Sequence, residues 1–152
     1  MAKPLKDVTK MKASFWKKLG DEVADRIQVH TKKGKDVNDA NFDKYSTKYA
    51  DAKRAGKFKR QSSTSTKPNL TLTGDMLRNL QTRSATNDGV IIGWSGTNAE
   101  KVEWNAKMKD RVITSDTKPV SKGIQKFIDK QINVTIDRNI KATNETKTFV
   151  IG

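Results

Sequence analysis

The chain of 152 residues contains no cysteine, a single histidine and no long apolar run. Without cysteine it has no disulfides, no thiolate metal ligands and no cysteine nucleophile, which is typical of proteins kept in a reducing cytoplasm. No apolar segment follows Met1, and none approaches the roughly 20 apolar residues that a transmembrane helix needs. We therefore expect a soluble protein.

The residues that usually carry catalysis or bind cofactors are also scarce. His30, the one histidine, lies near the predicted end of a helix, where the helix dipole favours a positive side chain. No second histidine can join it at a metal ion, and no Gly-x-Ser-x-Gly turn supplies an activated serine. The pairs Gly34-Lys35 and Gly56-Lys57 do not complete a phosphate-binding loop. The sequence predicts a protein that is not an enzyme and has no catalytic residues, metal site or cofactor.

Positive charge dominates the residues that are present. The chain has 31 Lys and Arg against 17 Asp and Glu, a formal net charge of +14, and only 34% hydrophobic residues. The excess is uneven, with 18 basic and 8 acidic residues in 1–67 but 13 and 9 in 68–152. Such a balance favours anionic partners, whether nucleic acid, an acidic protein surface or an anionic membrane.

Two segments have the apolar periodicity of long helices. The first spans about residues 5–30 and ends before Gly34, and the second spans 119–142, with Pro119 at the position where a helix tolerates proline. The first helix is expected to face the core or, alternatively, to dock on a neighbouring subunit. The apolar stripes consist of Leu5, Val8, Met11, Phe15, Leu19, Val23 and Ile27 in the first helix, and of Ile124, Phe127, Ile128, Ile132, Ile136 and Ile140 in the second.

Residues 68–114 predict a β core. Leu70 and Leu72 alternate with threonines, as in a half-buried strand, and a short helix follows at Gly74-Asp75. The extended segment 81–86 and the apolar run 90–92 flank Asp88-Gly89, which predicts a two-residue hairpin turn with positive φ. A helix over 98–108 and a short strand over 111–114 complete this part.

Three further features bear on packing and contacts. A short helix is expected around 43–54. Trp94 and Trp104 are expected in the core, with base stacking as the alternative. The segment 147–152 predicts a terminal edge strand that contains Thr148, Phe149, Val150 and Ile151.

Residues 53–67 carry six positive charges, no acid, and small polar residues toward their end. This composition cannot build a core and predicts a mobile, exposed loop. The loop is either simply solvated or contacts DNA phosphate or an acidic partner. Its charged residues are Lys53, Arg54, Lys57, Lys59, Arg60 and Lys67. Together these patterns predict one α+β domain over 1–152, with a small antiparallel sheet packed against two long helices and a long basic loop.

Several of these segments resemble the virion morphogenesis family of tailed bacteriophages, the tail-completion or head–tail connector group. The stretch from Gly34 through Tyr45-Ser46-x-x-Tyr49 to Lys53 is similar to the family's G-x-x-F-x-x-Y-S-x-x-Y-x-x-x-K pattern. PNLTLTGDMLRNL (68–80) resembles its L-x-x-T-G-x-L-x-x-S core, and GVIIGW (89–94) its V-x-I-G strand. The resemblance covers about residues 34–114. EKVEWN (100–105) stands where the family has a Tyr-Ala pair and a His-Gln-Phe-Gly-like segment.

The resemblance implies a structural virion protein assembled in the host cytoplasm. Such a protein forms a homo-oligomeric ring, a hexamer or dodecamer, at the neck or tail end as a tail-completion or terminator protein. The ring links the portal or its adaptor to the tail tube and surrounds the DNA channel. Its implied partners are other copies of itself, these virion proteins and DNA in the lumen, with no membrane. In such a ring the terminal strand is expected to join the sheet of a neighbouring subunit, through an interface formed by Thr148, Phe149, Val150 and Ile151. The alternative function is a small basic protein that binds DNA nonspecifically.

Overall fold

The computed structural model describes residues 8–147, with side chains up to residue 143. Over that range it has five helices and one two-stranded antiparallel sheet, which confirms the α+β class with long N- and C-terminal helices. The proposed interface at 148–151 lies outside the described residues. In chain order the elements are α1 (Ala13–Lys32), α2 (Thr47–Arg54), α3 (Asp75–Arg78), β1 (Gln81–Ala85), β2 (Val90–Gly93), α4 (Thr97–Lys109) and α5 (Lys122–Lys147).

Helix α1 begins at Ala13, so the prediction of one continuous helix from about residue 5 is wrong. Lys12 precedes the helix in an extended conformation, with φ −79° and ψ 154°. Val8, which is helical, and Met11 are nevertheless buried. The apolar spacing before Ala13 therefore continues across a break in the helix over residues 9–12. The predicted end is confirmed, because Gly34 follows the helix with φ +79°, a left-handed conformation that glycine adopts at low cost.

The predicted hairpin forms between β1 and β2. Its turn is different from the expected one, because Thr86 N donates to Gly89 O at 2.9 Å and places Asn87 and Asp88 at the centre. None of Asn87, Asp88 and Gly89 has positive φ, so the prediction of an Asp88-Gly89 turn is wrong. The position of Asn87 is fixed by α1 instead, since its side-chain oxygen accepts a hydrogen bond from Ala13 N at 2.9 Å.

The expected strand at Leu70 and Leu72 is absent. Leu70 has φ 53°, which a strand does not allow. The side-chain oxygen of Asn69 accepts a hydrogen bond from Thr71 N at 3.1 Å. Such local bonds from side chain to backbone compete with strand pairing. The segment is held irregularly, and Leu72 O accepts the backbone N–H of Ser62 at 2.7 Å.

The helices on either side of the hairpin are close to expectation. The short helix after Gly74 is confirmed as α3, and the helix over 98–108 is confirmed as α4. The helix expected around 43–54 begins only at Thr47, because the Ser46 side chain caps it by accepting from Tyr49 N at 3.4 Å.

Two expectations for residues 111–122 are wrong. Residues 111–114 form no strand, although Val112 O accepts a hydrogen bond from Val37 N at 3.0 Å. Helix α5 begins at Lys122 and not at Pro119. A helical hydrogen bond runs from Gln125 N to the carbonyl of the buried Ser121, so Pro119 lies before the helix.

Most of the buried apolar residues form one cluster between α1, the hairpin and α5, and Val8, Met11 and Val37 are buried outside it. No helix among residues 8–147 is long and apolar enough to cross a membrane. The cluster consists of Leu19, Val23, Ala24, Ile27, Phe42, Met76, Leu77, Leu80, Ile113 and Ile124.

Candidate binding groove

A groove of about 990 Å³ opens between α2 and α4. One wall is aromatic and is formed by Tyr45, just before α2, and Tyr49, within α2. The opposite wall is the exposed face of α4, and the segment before α3 forms the base. Basic side chains surround it. The lining includes Asp43, Lys44, Tyr45, Tyr49, Leu70, Leu72, Met76, Lys101, Trp104, Lys107, Met108, Lys109, Asp110 and Arg111.

The aromatic wall is held in place by its own backbone neighbours. The rings of Tyr45 and Tyr49 meet edge to face with centroids 4.8 Å apart. The Tyr45 hydroxyl accepts a hydrogen bond from Leu70 N at 3.3 Å, which joins this wall to the base of the groove. Burial raises the pKa of both phenols above the usual 10.0, so they stay protonated at neutral pH.

Two cations flank the Tyr45 ring. Lys53 Nζ is 5.1 Å from the ring centroid and Arg111 Cζ is 5.0 Å from it. Lys53 is fully buried; its Nζ donates to the side-chain oxygen of Asn69 at 3.4 Å, and burial lowers its pKa. Arg111 is 8% exposed and donates to the carbonyl of Asp43 at 3.3 Å, whereas its Nε has no partner among the described residues.

Neither cation forms an ion pair with a carboxylate of the described residues. Buried positive charge without a carboxylate is unfavourable by itself. Arg111 lines the groove together with Lys44, Lys101, Lys107 and Lys109, and these five basic residues outnumber the two acidic ones, Asp43 and Asp110. The groove therefore favours an anionic occupant.

The wall formed by α4 is apolar and exposed. Trp104 and Met108 are 53% and 66% exposed, and their spacing of four residues places them side by side. Lys109 Nζ lies 5.5 Å from the Trp104 ring. The expectation that Trp104 belongs to the core is wrong, whereas Trp94 packs on the core and donates from Nε1 to Met76 O at 2.9 Å. Large apolar side chains that share an exposed face mark a contact surface.

The basic loop predicted over 53–67 is only partly as expected. Lys53 belongs to α2 and is fully buried. The prediction that Lys53 contacts DNA or an acidic partner at the surface is therefore wrong. The Gln61 amide donates to the carbonyls of Lys53 and Ser63, at 2.5 and 2.7 Å, and ties the loop to α2. These hydrogen bonds hold in place a loop that the composition predicted to be mobile.

The remaining charges of the loop divide into two groups. Arg54 and Arg60 pair with acids, at 3.0 Å to Asp51 and 3.6 Å to Asp75. The others are exposed and form no ion pair with a described residue: Lys57, Lys59 and Lys67. None of the six predicted contact residues lines the groove.

Sequence reasoning missed the charged residues of the groove, since they are spread over 44–111. The spacing of Trp104 and Met108 on a helix of otherwise polar residues was the available signal. It was misread because exposed and buried apolar pairs share the same helical spacing.

The side chains that suggested chemistry have structural roles. His30 Nε2 is 2.9 Å from the carbonyl of Asp36 and 3.4 Å from a carboxylate oxygen of Asp39, at the end of α1. Asp75 accepts hydrogen bonds from Thr73 and Arg78, which lower its pKa. Among the described residues no group of three or more His, Asp or Glu could hold a metal ion.

Comparison of the chain with protein-family models, with curated proteins and with solved structures finds no match in any of the three.

Proposed function

We propose that this protein is a non-enzymatic structural subunit of a tailed-phage virion. It forms a homo-oligomeric ring at the head–tail junction, as a neck, tail-completion or tail-terminator protein. The ring links the portal or its adaptor to the tail tube and surrounds the DNA channel. The subunit is made in the host cytoplasm and resides in the virion.

One observation carries the proposal: hydrogen bonds join the three segments that resemble the virion morphogenesis family, and the first two of these segments line the groove. The Tyr45 hydroxyl of the first segment accepts from Leu70 N of the second at 3.3 Å. Trp94 of the third donates to Met76 O of the second at 2.9 Å. The exposed apolar wall of the groove also suits a subunit that buries it against neighbours.

The test is to detect the protein in virions and to determine its assembly state. Mass spectrometry of purified virions should identify the chain, and native mass spectrometry with negative-stain imaging should show closed rings. Antibody labelling should mark the head–tail junction. A chain absent from virions, or distributed over the capsid surface, would contradict the proposal.

A second candidate function is nonspecific DNA binding in a chain of net charge +14. It is favoured by Lys57, Lys59 and Lys67, which are exposed and form no ion pair within the described part of the chain. DNA binding of this kind weakens steeply with salt, with a slope of about −0.9 for each phosphate contacted. A monomer that binds duplex DNA with such a slope, and loses about two of those contacts when Lys57 and Lys59 become Gln, would favour this function over the ring.

A further inference from the structure

The outer face of α1 has the opposite character to the groove. Glu22, Asp25 and Val29 are spaced by three and four residues and therefore share one face of the helix. Val29 is 51% exposed. Glu22 and Asp25 form no ion pair with a described residue. We call these three residues the acidic face.

Basic residues also lie beside the acidic face, but acidic side chains outnumber them. The depression there is lined by Glu22, Asp25 and Asp39, and by the basic Arg26 and Lys33 together with His30. The Arg26 guanidinium is directed toward α5, with Cζ 3.7 Å from the Phe127 ring centroid. Glu22 and Asp25 therefore leave an acidic excess next to the exposed Val29.

We infer that the groove of one subunit receives the acidic face of the next subunit. This inference rests on the proposed ring and names the two surfaces that form it. Val29 packs against Trp104 and Met108, and the carboxylates of α1 meet the groove lysines. Opposite charges at the contact offset the repulsion between two chains of net charge +14.

The two surfaces differ, and no residue lines both the groove and the depression beside the acidic face. A contact between two different patches is heterologous. It repeats from copy to copy and closes into a ring when the rotation permits. A helix face whose anchors recur every three or four residues is also a common way to fill an apolar groove.

Single-stranded nucleic acid fits the groove less well. Binding by base stacking needs free aromatic faces. The two tyrosines pack against each other and are at most partly exposed, and Lys109 lies over the Trp104 ring. Met108, the most exposed apolar side chain of the wall, offers a base no stacking surface.

Disulfide trapping tests the inference, because the native chain has no cysteine. Val29→Cys and Met108→Cys are made in separate chains, one with a tag that changes its mass, and mixed under mild oxidation. A disulfide needs Cα atoms about 4.4–6.8 Å apart, so only a close contact is trapped. The mixture should yield the mixed dimer, and neither variant alone should exceed the background.

Ser84→Cys provides the matched control, since Ser84 is exposed on β1 and belongs to neither surface. It should form no mixed dimer above background with either variant. Charge reversal adds a second readout. Glu22→Lys with Asp25→Lys in the Val29→Cys chain should lower the yield about tenfold, and Lys101→Glu with Lys109→Glu in the Met108→Cys chain should restore it.

The outcomes separate the inference from the proposed function. Rings in native mass spectra without the Val29–Met108 disulfide would overturn the inference and leave the ring standing. A chain absent from virions would overturn the proposed function whatever the trapping shows. Saturable quenching of tryptophan fluorescence by an oligothymidylate that disappears in Trp104→Phe, with loss of the mixed dimer, would assign the groove to nucleic acid and overturn the inference.

Discussion

Lys53 is a basic residue in a fully enclosed position. Its ammonium group has the Tyr45 ring at 5.1 Å and one amide oxygen, from Asn69, at 3.4 Å. These contacts compensate only part of the lost hydration, and burial therefore lowers its pKa below the usual 10.5. The run of basic residues around it gave no sign that one of them turns inward.

Replacing Lys53 with methionine should remove this cost. The folded pKa lies below the unfolded value of 10.5, so between the two the unfolded chain binds more protons and the free energy of unfolding of the wild type rises with pH. Lys53→Met lacks this rise of the free energy of unfolding with pH. We expect the variant to be at least as stable as the wild type at neutral pH, and its advantage to shrink as the pH approaches 10.5.

Urea unfolding from about pH 7 to pH 10 measures this difference. The raised pKa of Tyr45 makes stability fall as the pH rises through 10.0, at the upper end of this range. Lys59→Met, at an exposed lysine, is the matched control for replacing a lysine with methionine. A constant difference between Lys53→Met and the wild type would show that Lys53 does not titrate differently in the fold.

Asn87 acts at a distance from its own hairpin. Lys12, at the N-cap of α1, makes no capping bond with its side chain. The side-chain oxygen of Asn87 accepts a hydrogen bond from Ala13 N instead. The backbone carbonyl of Asn87 accepts a second hydrogen bond, from Trp16 Nε1, at 3.2 Å. Asn87→Ala should lower the free energy of unfolding by about 1 kcal/mol, because it leaves a helix N–H without its acceptor.

Asn87→Asp keeps the acceptor oxygen and adds a negative charge near the start of α1, which the helix dipole favours. Its free energy of unfolding should equal or exceed that of the wild type. Thermal and urea unfolding of both variants measure the effect. Equal losses in Asn87→Ala and Asn87→Asp would mean that the backbone turn, and not the side-chain oxygen, supports α1.

At the scale of the elements, α1 packs tightly against the hairpin at Gly20. A Cβ there would lie 2.6 Å from both Thr82 Oγ1 and Val90 Cγ2. Gly20→Ala should therefore lower the free energy of unfolding by about 1–3 kcal/mol, despite the better helix propensity of alanine. Gly123→Ala in α5 meets no atom within 4 Å and should raise it by about 0.5–1 kcal/mol. If both variants change the free energy of unfolding by a similar amount, the hairpin shifts to make room for the methyl group at residue 20.

Elements defined by their own residues were predictable, and those that depend on distant partners were not. The apolar stripe of α1 and the two strands of the hairpin follow from local periodicity. The strand expected at Leu70 fails because its alternation lacks a pairing strand and Asn69 bonds to the nearby backbone. The groove was missed for a similar reason, since Tyr45, Trp104 and Arg111 meet only through the tertiary fold.

At the scale of the whole molecule, the apolar core and the proposed contact surface are separate. The apolar cluster around α1 is covered by α5 and the hairpin, whereas α4 contributes no fully buried residue and packs on the core through the partly buried Val102. Its Trp104 and Met108 remain at the groove. If the proposed ring forms, substitutions at Trp104 and Met108 should therefore change association between copies and leave folding intact.

The double variant Trp104→Ala with Met108→Ala tests that separation. Both side chains are more than half exposed, so the free energy of unfolding should change by less than about 1 kcal/mol. Native mass spectrometry and sedimentation should show the oligomers of the wild type replaced by monomer. Trp94→Ala is the matched control: it removes a ring that packs on the core and donates to Met76 O, and should cost about 2–3 kcal/mol of unfolding free energy. If the double variant keeps the wild-type oligomers, the exposed wall of α4 is not an assembly surface.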